Sequence, residues 1–272
     1  MRVSIKANLE YSFPQPADVL LALEAARAPD QRVITDALRV TPPCDLSVAD
    51  GPDDKGVRQW MNAQGDVIIT YEALVDVTRG PVELAGLSVP SHHELPSDVT
   101  SYLFPSRYCE SDRMGTFVQR TFSGLQGGDQ VLAMADWIYE HFDYVPGASD
   151  GETTAADSFM ARQGVCRDYA HVLISFARSA GIPARMVSAY APGIEPPDFH
   201  AVVEVWLNDA WRLIDPTKLA DERSLVRITT GRDATDISFM TIFGTAVLNR
   251  QSVEVTSVAD ANPETELAPA DG

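Results

Sequence analysis

The hydrophobic period of this chain changes twice along its length, and that order of patterns restricts the fold more than any single motif. Apolar residues take every second position at Val3, Ile5, Ala7 and Leu9, again over residues 31–40, and again in Leu74-Val75-Asp76-Val77-Thr78. That is the spacing of strands with one buried face. Over residues 129–142 the spacing becomes helical, with Val131, Met134, Ala135 and Ile138 on one stripe and Asp129 as the expected N-cap. Two more helices are expected, over residues 153–163 with Gly164 as the stop, and over residues 166–180 with Gly181 and Pro183 beyond it. The period then returns to two over residues 184–190, 201–207 and 211–214. Helices followed by antiparallel strands indicate an α+β class.

The N-terminal third, residues 1–95, reads as a separate β-rich unit, a small β-sandwich of short strands with turn signals between them. Within it, residues 60–71 suggest a hairpin about Gln64-Gly65-Asp66, residues 19–27 suit a short helix or a strand, and residues 42–56 a loop. Pro81, Pro90, Pro96 and Pro105 mark a linker that wraps onto the second unit, residues 96–256. Residues 257–272 hold Asp, Glu, Pro and Ala with almost no large apolar side chains, the composition of a disordered tail.

With 272 residues and 45 % apolar content, the chain can bury a substantial core. Its formal charge of −18 argues against binding nucleic acid or an anionic membrane. No apolar run is long enough to span a bilayer, and Met1-Arg2-Val3-Ser4-Ile5-Lys6 does not open a signal peptide, so a cytoplasmic location is expected. Three cysteines, Cys44, Cys109 and Cys166, make neither a disulfide framework nor a zinc pair. His92-His93 has no ligand partner at metal-binding spacing, and no metal site is expected.

The chemistry-bearing pattern lies in the second unit. Cys166 follows Gly164 and Val165 at the expected start of a helix, where the helix dipole favours a thiolate and the Cys166 backbone N–H lacks an intrahelical partner. His200 opens a strand after the loop Glu195-Pro196-Pro197-Asp198-Phe199. A two-residue turn at Asn208-Asp209 would set position 200 across from about 217, so Asp215 falls within two residues of facing His200. A carboxylate there can fix the tautomer of an imidazole that serves a thiol, which makes Cys166, His200 and Asp215 a candidate nucleophile, base and orienter. Tyr102, Tyr108, Tyr190 and Phe199 are candidates for the cleft wall, with a Tyr hydroxyl from residues 102–108 as a second oxyanion donor. Trp211 is a further wall candidate, Cys109 reads as structural, and His171 is expected to point away from the cleft.

Gly164-Val165-Cys166-Arg167-Asp168-Tyr169-Ala170, Ala180-Gly181-Ile182-Pro183-Ala184-Arg185, Asp198-Phe199-His200-Ala201 and Trp211-Arg212-Leu213-Ile214-Asp215-Pro216-Thr217 together resemble the transglutaminase-like superfamily, closest to its bacterial cysteine protease group. Gly231-Arg232-Asp233-Ala234 and residues 239–244 are also similar to that group. The resemblance covers residues 100–250. It implies a papain-like α+β core with Cys166 as nucleophile, His200 as base and Asp215 as orienter, and no cofactor at that core. No oxygen-rich loop matches the calcium sites of animal transglutaminases. The expected activity is thiol-dependent acyl transfer on the amide of a peptide or protein, through a thioester. Water as acceptor gives hydrolysis, a primary amine gives crosslinking, and a silent binding module on the same fold is the alternative. Nothing in the residues selects an oligomeric state.

Overall fold

A computed structural model describes residues 1–49 and 56–258. The expected disordered tail therefore lies outside the described residues beyond Val258, as does part of the 42–56 loop. In chain order the strands are β1 (Arg2–Leu21), β2 (Gln31–Thr41), β3 (Ser47–Val48), β4 (Gln59–Val77), β5 (Asp143–Tyr144), β6 (Gln163–Gly164), β7 (Ala184–Tyr190), β8 (His200–Leu207), β9 (Ala210–Ile214), β10 (Val226–Gly231), β11 (Met240–Phe243) and β12 (Val247–Val258). The α-helices are α1 (Ser97–Thr100), α2 (Gly115–Thr121), α3 (Gly127–His141), α4 (Ala155–Ala161), α5 (Cys166–Ser179) and α6 (Ala234–Ile237).

The expected small β-sandwich takes the form of one hydrogen-bonded sheet of six strands, built on the long pair β1 and β4. Its alternating residues Val3, Ile5, Leu9 and Phe13 are buried, and Tyr190, Val226 and Ile228 of the second unit share their core. Residues 240–258 return to this sheet, because β11 and β12 both pair with β1. The chain's two units are thus interleaved. The Gln64-Gly65-Asp66 segment is not a hairpin. β4 runs straight through it, and Gly65 (φ 75°) lies across from the register break between Phe13 and Ala17 of β1. Pro14 and Pro16 fall in that break and donate nothing to the ladder, so the glycine marks a bulge.

The second unit packs α5 against a four-stranded antiparallel sheet in the order β10-β7-β8-β9, with α3 and α4 on the helix's other sides. Residues 80–105 do wrap onto it. Gly128 donates to the Leu87 carbonyl at 2.9 Å, and Ser88 exchanges hydrogen bonds with Asn208. Helix α3 begins two residues before Asp129, whose carboxylate instead accepts the Gly86 N–H. Thr154 caps α4 in a reciprocal pair with Asp157, and the helix stops at Arg162 in the left-handed region (φ 58°), ahead of Gly164. Among the described residues no helix is long and apolar enough to cross a membrane.

Candidate active site

Cys166 is the first residue of α5, and two local devices hold it there. Asp168, fully buried, reaches back to accept the Val165 N–H at 2.8 Å and the Ser149 hydroxyl at 2.6 Å. That is the returning half of a capping box. Gly164 makes room for it, since a Cβ at that position would sit 2.5 Å from the Asp168 Cβ. The glycine is required by this close approach, not by the end of α4.

His200 opens β8, and Asp215 follows β9. The β8–β9 register runs from Val203 opposite Ile214 to Leu207 opposite Ala210, as a two-residue turn demands. Asn208 (φ 47°) and Asp209 (φ 55°) both occupy the left-handed region of a type I′ turn. The His200 Nε2 lies 2.8 Å from the Asp215 Oδ2, with both side chains buried. The Cys166 side chain lies near enough to His200 to act on its titration, and both line the same cleft. With Nε2 committed to Asp215, Nδ1 is the ring atom left for the thiol. Asp215 is itself held, its Oδ1 accepting the Thr217 N–H and hydroxyl at 2.9 and 2.7 Å, and its Oδ2 the Ala220 N–H at 3.0 Å.

The electrostatics follow from this chain of contacts. Burial by itself disfavours an imidazolium, but the hydrogen bond to Asp215 and the negative charges of Asp215 and nearby Cys166 outweigh it and raise the His200 pKa to about 10. Burial likewise opposes ionisation of Asp215, yet His200 and Thr217 hold its pKa below the usual carboxylate range.

Cys166 and His200 open on a cavity of about 390 Å³ walled by Met186, Ala201, Ile237 and Phe239, with Asp198 and Arg167 also among its lining residues. Two of the four aromatic candidates lie on it. Phe199 stacks on Phe239 with centroids 4.4 Å apart, and Tyr108 lines the opposite side with its hydroxyl donating to the Gly151 carbonyl. Tyr190 does not reach the cleft. It is buried against Tyr71, and its hydroxyl donates to the Leu23 carbonyl. Tyr102 is also outside the cleft lining, edge-on to Trp211, which packs with Trp206 and Arg185. Both were natural candidates on type and proximity, but their rings serve the core.

The tyrosine that reaches the thiol is Tyr144. Its hydroxyl lies beside Cys166, and burial and the negative charge that Cys166 can carry push its pKa upward, so it stays a neutral hydroxyl. The residue comes into place through the two-residue parallel pairing of β5 with β6, where Tyr144 stands opposite Gly164. Two-residue strands paired twenty positions apart leave no periodic signal, so nothing in the sequence marks Tyr144. His171 faces away from the cavity as expected. It is buried behind the Tyr108 ring, accepts the Ala234 N–H, and burial pushes its pKa down to about 3. Burial pushes the Cys109 thiol up to about 12, which makes it inert. Among the described residues no three potential metal ligands come together.

A solved protein of Cytophaga hutchinsonii, described as a candidate cysteine protease, matches this chain at 32 % identity and a TM-score of 0.88, covering 96 % of this chain and 92 % of that one. Residues 117–216 match the family model of the transglutaminase-like superfamily. The chain belongs to the transglutaminase-like superfamily. The superfamily's match includes both the Cys166 helix and the β8–β9 hairpin that carries His200 and Asp215. An uncharacterised protein of Mycobacterium leprae is 31 % identical over 118 residues, 40 % of this chain and 42 % of that protein. A Pseudomonas aeruginosa protein-glutamine gamma-glutamyltransferase is 35 % identical over 117 residues, 36 % of this chain and 18 % of that protein. The chain thus spans about two fifths of the length of its mycobacterial relatives.

Proposed function

We propose that this chain is a thiol-dependent acyl-transfer enzyme that cleaves amide bonds of peptides or proteins. The observation that carries the reading is the placing of His200, hydrogen-bonded to Asp215 and sharing the cleft with Cys166, whose charge it feels. Asp215 keeps the imidazole oriented and stabilises its charged form, so His200 can take the proton of the Cys166 thiol as it becomes the attacking thiolate. The thiolate adds to the amide carbonyl carbon. The resulting oxyanion meets the Cys166 N–H, which has no partner within the helix at its start, and the Tyr144 hydroxyl beside it. The His200 imidazolium gives its proton to the departing amine as the C–N bond breaks and a thioester remains. His200 then takes a proton from water, whose oxygen displaces the thiolate and releases the acid. The machinery calls on no cofactor.

Cys166 is only partly buried, so water has access to the thioester, which supports hydrolysis. The likeness to the Pseudomonas protein-glutamine gamma-glutamyltransferase supports a second reading, in which a primary amine takes the acyl group. A cytoplasmic setting belongs to the same proposal, because it would keep the free Cys44, Cys109 and Cys166 reduced. The test is Cys166→Ala. It should abolish iodoacetamide-sensitive amidase activity and the acyl-enzyme seen by intact mass, and full activity in that variant would sink the proposal. Added amine that diverts product from acid to amide would favour the second reading.

A further inference from the structure

Helix α5 carries a second histidine, which the acyl-transfer steps leave unused. His171 follows Cys166 on the same helix, about 7.5 Å further along its axis. It is fully buried, yet its ring touches two segments of the cleft lining. One is Tyr108, whose ring stacks on the imidazole with centroids 5.2 Å apart and 5° between the planes. The other is α6, whose first residue, Ala234, donates its N–H to His171 Nε2 at 3.2 Å. Asp233 joins the same two segments. One of its oxygens accepts the Tyr108 N–H at 3.0 Å and the other the Thr235 N–H at 2.9 Å.

Packing alone does not account for a histidine here. With Nε2 accepting, the proton of the neutral ring sits on Nδ1, which is buried with no hydrogen-bond partner among the described residues. A buried donor left unpaired costs stability and calls for an explanation. The ring stays neutral, because burial and the charges of Arg167 and Arg178 oppose a second proton more than Asp233 favours it. A neutral imidazole offers a flat face and an acceptor at once, whereas phenylalanine has only the first and glutamine only the second. We propose that His171 is a positioning residue of this cleft, which fixes Tyr108 and the start of α6 relative to the Cys166 thiol and so sets how closely the lining grips a bulky group carried by the substrate. This rests on the reading of Cys166 as the nucleophile and names what holds the lining around it.

Thiol and imidazole share one helix, so the lining is set by the same rigid element that carries the nucleophile. Both segments need such an anchor. Helix α6 is four residues long, and the N–H of its first residue has no partner within the helix. His171 supplies that partner, and Ile237, Ser238 and Phe239, which follow, all line the cleft. Tyr108 lies outside any helix or strand. Its hydroxyl donates to the Gly151 carbonyl and its own carbonyl accepts the Ala155 N–H, but the face of its ring rests on His171. Small errors of placement beside a nucleophile are costly, which gives this support its value.

Two alkylating agents of different size test this without needing turnover: iodoacetamide, which needs only the thiol, and N-benzyl iodoacetamide, whose ring must lie against the lining. Both form a thioether with loss of iodide, read at Cys166 by peptide mass so that the exposed Cys44 does not interfere. The readout is the ratio of the benzyl rate to the iodoacetamide rate, in which changes of thiol reactivity or folded fraction cancel. His171→Phe keeps the stack and releases Ala234, while His171→Gln keeps an acceptor and releases Tyr108. Each should lower the ratio by about fivefold, the worth of one aromatic contact. Tyr108→Leu, with His171 intact, should lower it as far. On that background His171→Gln should add no more than about twofold, because it acts through Tyr108. A merely structural role would slow both reagents together and lower the denaturation midpoint while the ratio held. A ratio that holds within about twofold in both His171 variants, or in Tyr108→Leu, overturns the assignment, as does full additivity in the double variant. If iodoacetamide modifies Cys166 and the ratio holds, the positioning role falls and the nucleophile stands. If iodoacetamide leaves Cys166 of the wild type unmodified, both fall together.

Discussion

At the scale of single residues, the site depends on one imidazole with two partners. His200 has its pKa raised to about 10 against an ordinary 6.5, so the bridge's contribution to stability is complete below about pH 6.5 and is lost as pH rises towards 10. Amidase activity should therefore fall on an alkaline limb near pH 10, and Asp215→Asn should move that limb to lower pH. A pH–rate profile that ends near pH 7 in the wild type would contradict the ion pair. Tyr144 has a different task. On the proposed reading its hydroxyl also meets the oxyanion, so Tyr144→Phe should lower kcat by roughly 100-fold, well beyond any change in the rate at which iodoacetamide modifies Cys166. Single-turnover kinetics beside alkylation rates separate the two effects. Cys166, His200 and Asp215 could be found in the sequence because residue type, element boundary and turn length converge on them. Tyr144 could not, because its place depends on a backbone pairing of two residues.

At the scale of elements, the start of α5 is the critical junction. Its order depends on Asp168 folding back under Val165, and that requires Gly164. Gly164→Ala would force a methyl against the Asp168 side chain. It should cost about 1–3 kcal/mol, the range for overpacking a tight site, and should slow alkylation of Cys166 as the helix start shifts. Denaturant melts and labelling rates measured on the same variant check both effects. The β8–β9 hairpin was readable because a two-residue turn fixes register, and a fixed register aims every side chain. The Gln64-Gly65-Asp66 segment misled for a related reason. A glycine between polar residues marks either a turn or a bulge, and only the partner strand, with Pro14 and Pro16 in its break, decides which.

At the scale of the whole molecule, the N-terminal sheet and the catalytic sheet are joined by buried charges. Glu204 on β8 pairs with Arg185 and Arg227 at 2.7 Å each, and Arg227 continues to Asp30 at 2.6 Å and so to Arg79. Glu204→Gln would leave two buried guanidinium groups short of their counter-charge. It should destabilise the chain by about 3–5 kcal/mol, visible as a lowered denaturation midpoint across both sheets in one transition. Two separate transitions would mean that the sheets fold independently. The same interleaving brings Phe239, just before β11, and Gln251 of β12 into the cleft lining, so the β-rich unit helps to shape the candidate site. What the sequence alone determined is local: the α+β order of periods, the helix start at Cys166, and the hairpin that sets Asp215 near His200. Each depends on contacts within a few residues or across one tight turn, which periodicity and turn chemistry encode. The return of residues 240–258 to β1, the exclusion of Tyr102 and Tyr190 from the cleft, and the placing of Tyr144 beside Cys166 were decided only by the tertiary structure. Those contacts join segments up to two hundred and more positions apart, and no local pattern records which distant strand a given edge will find.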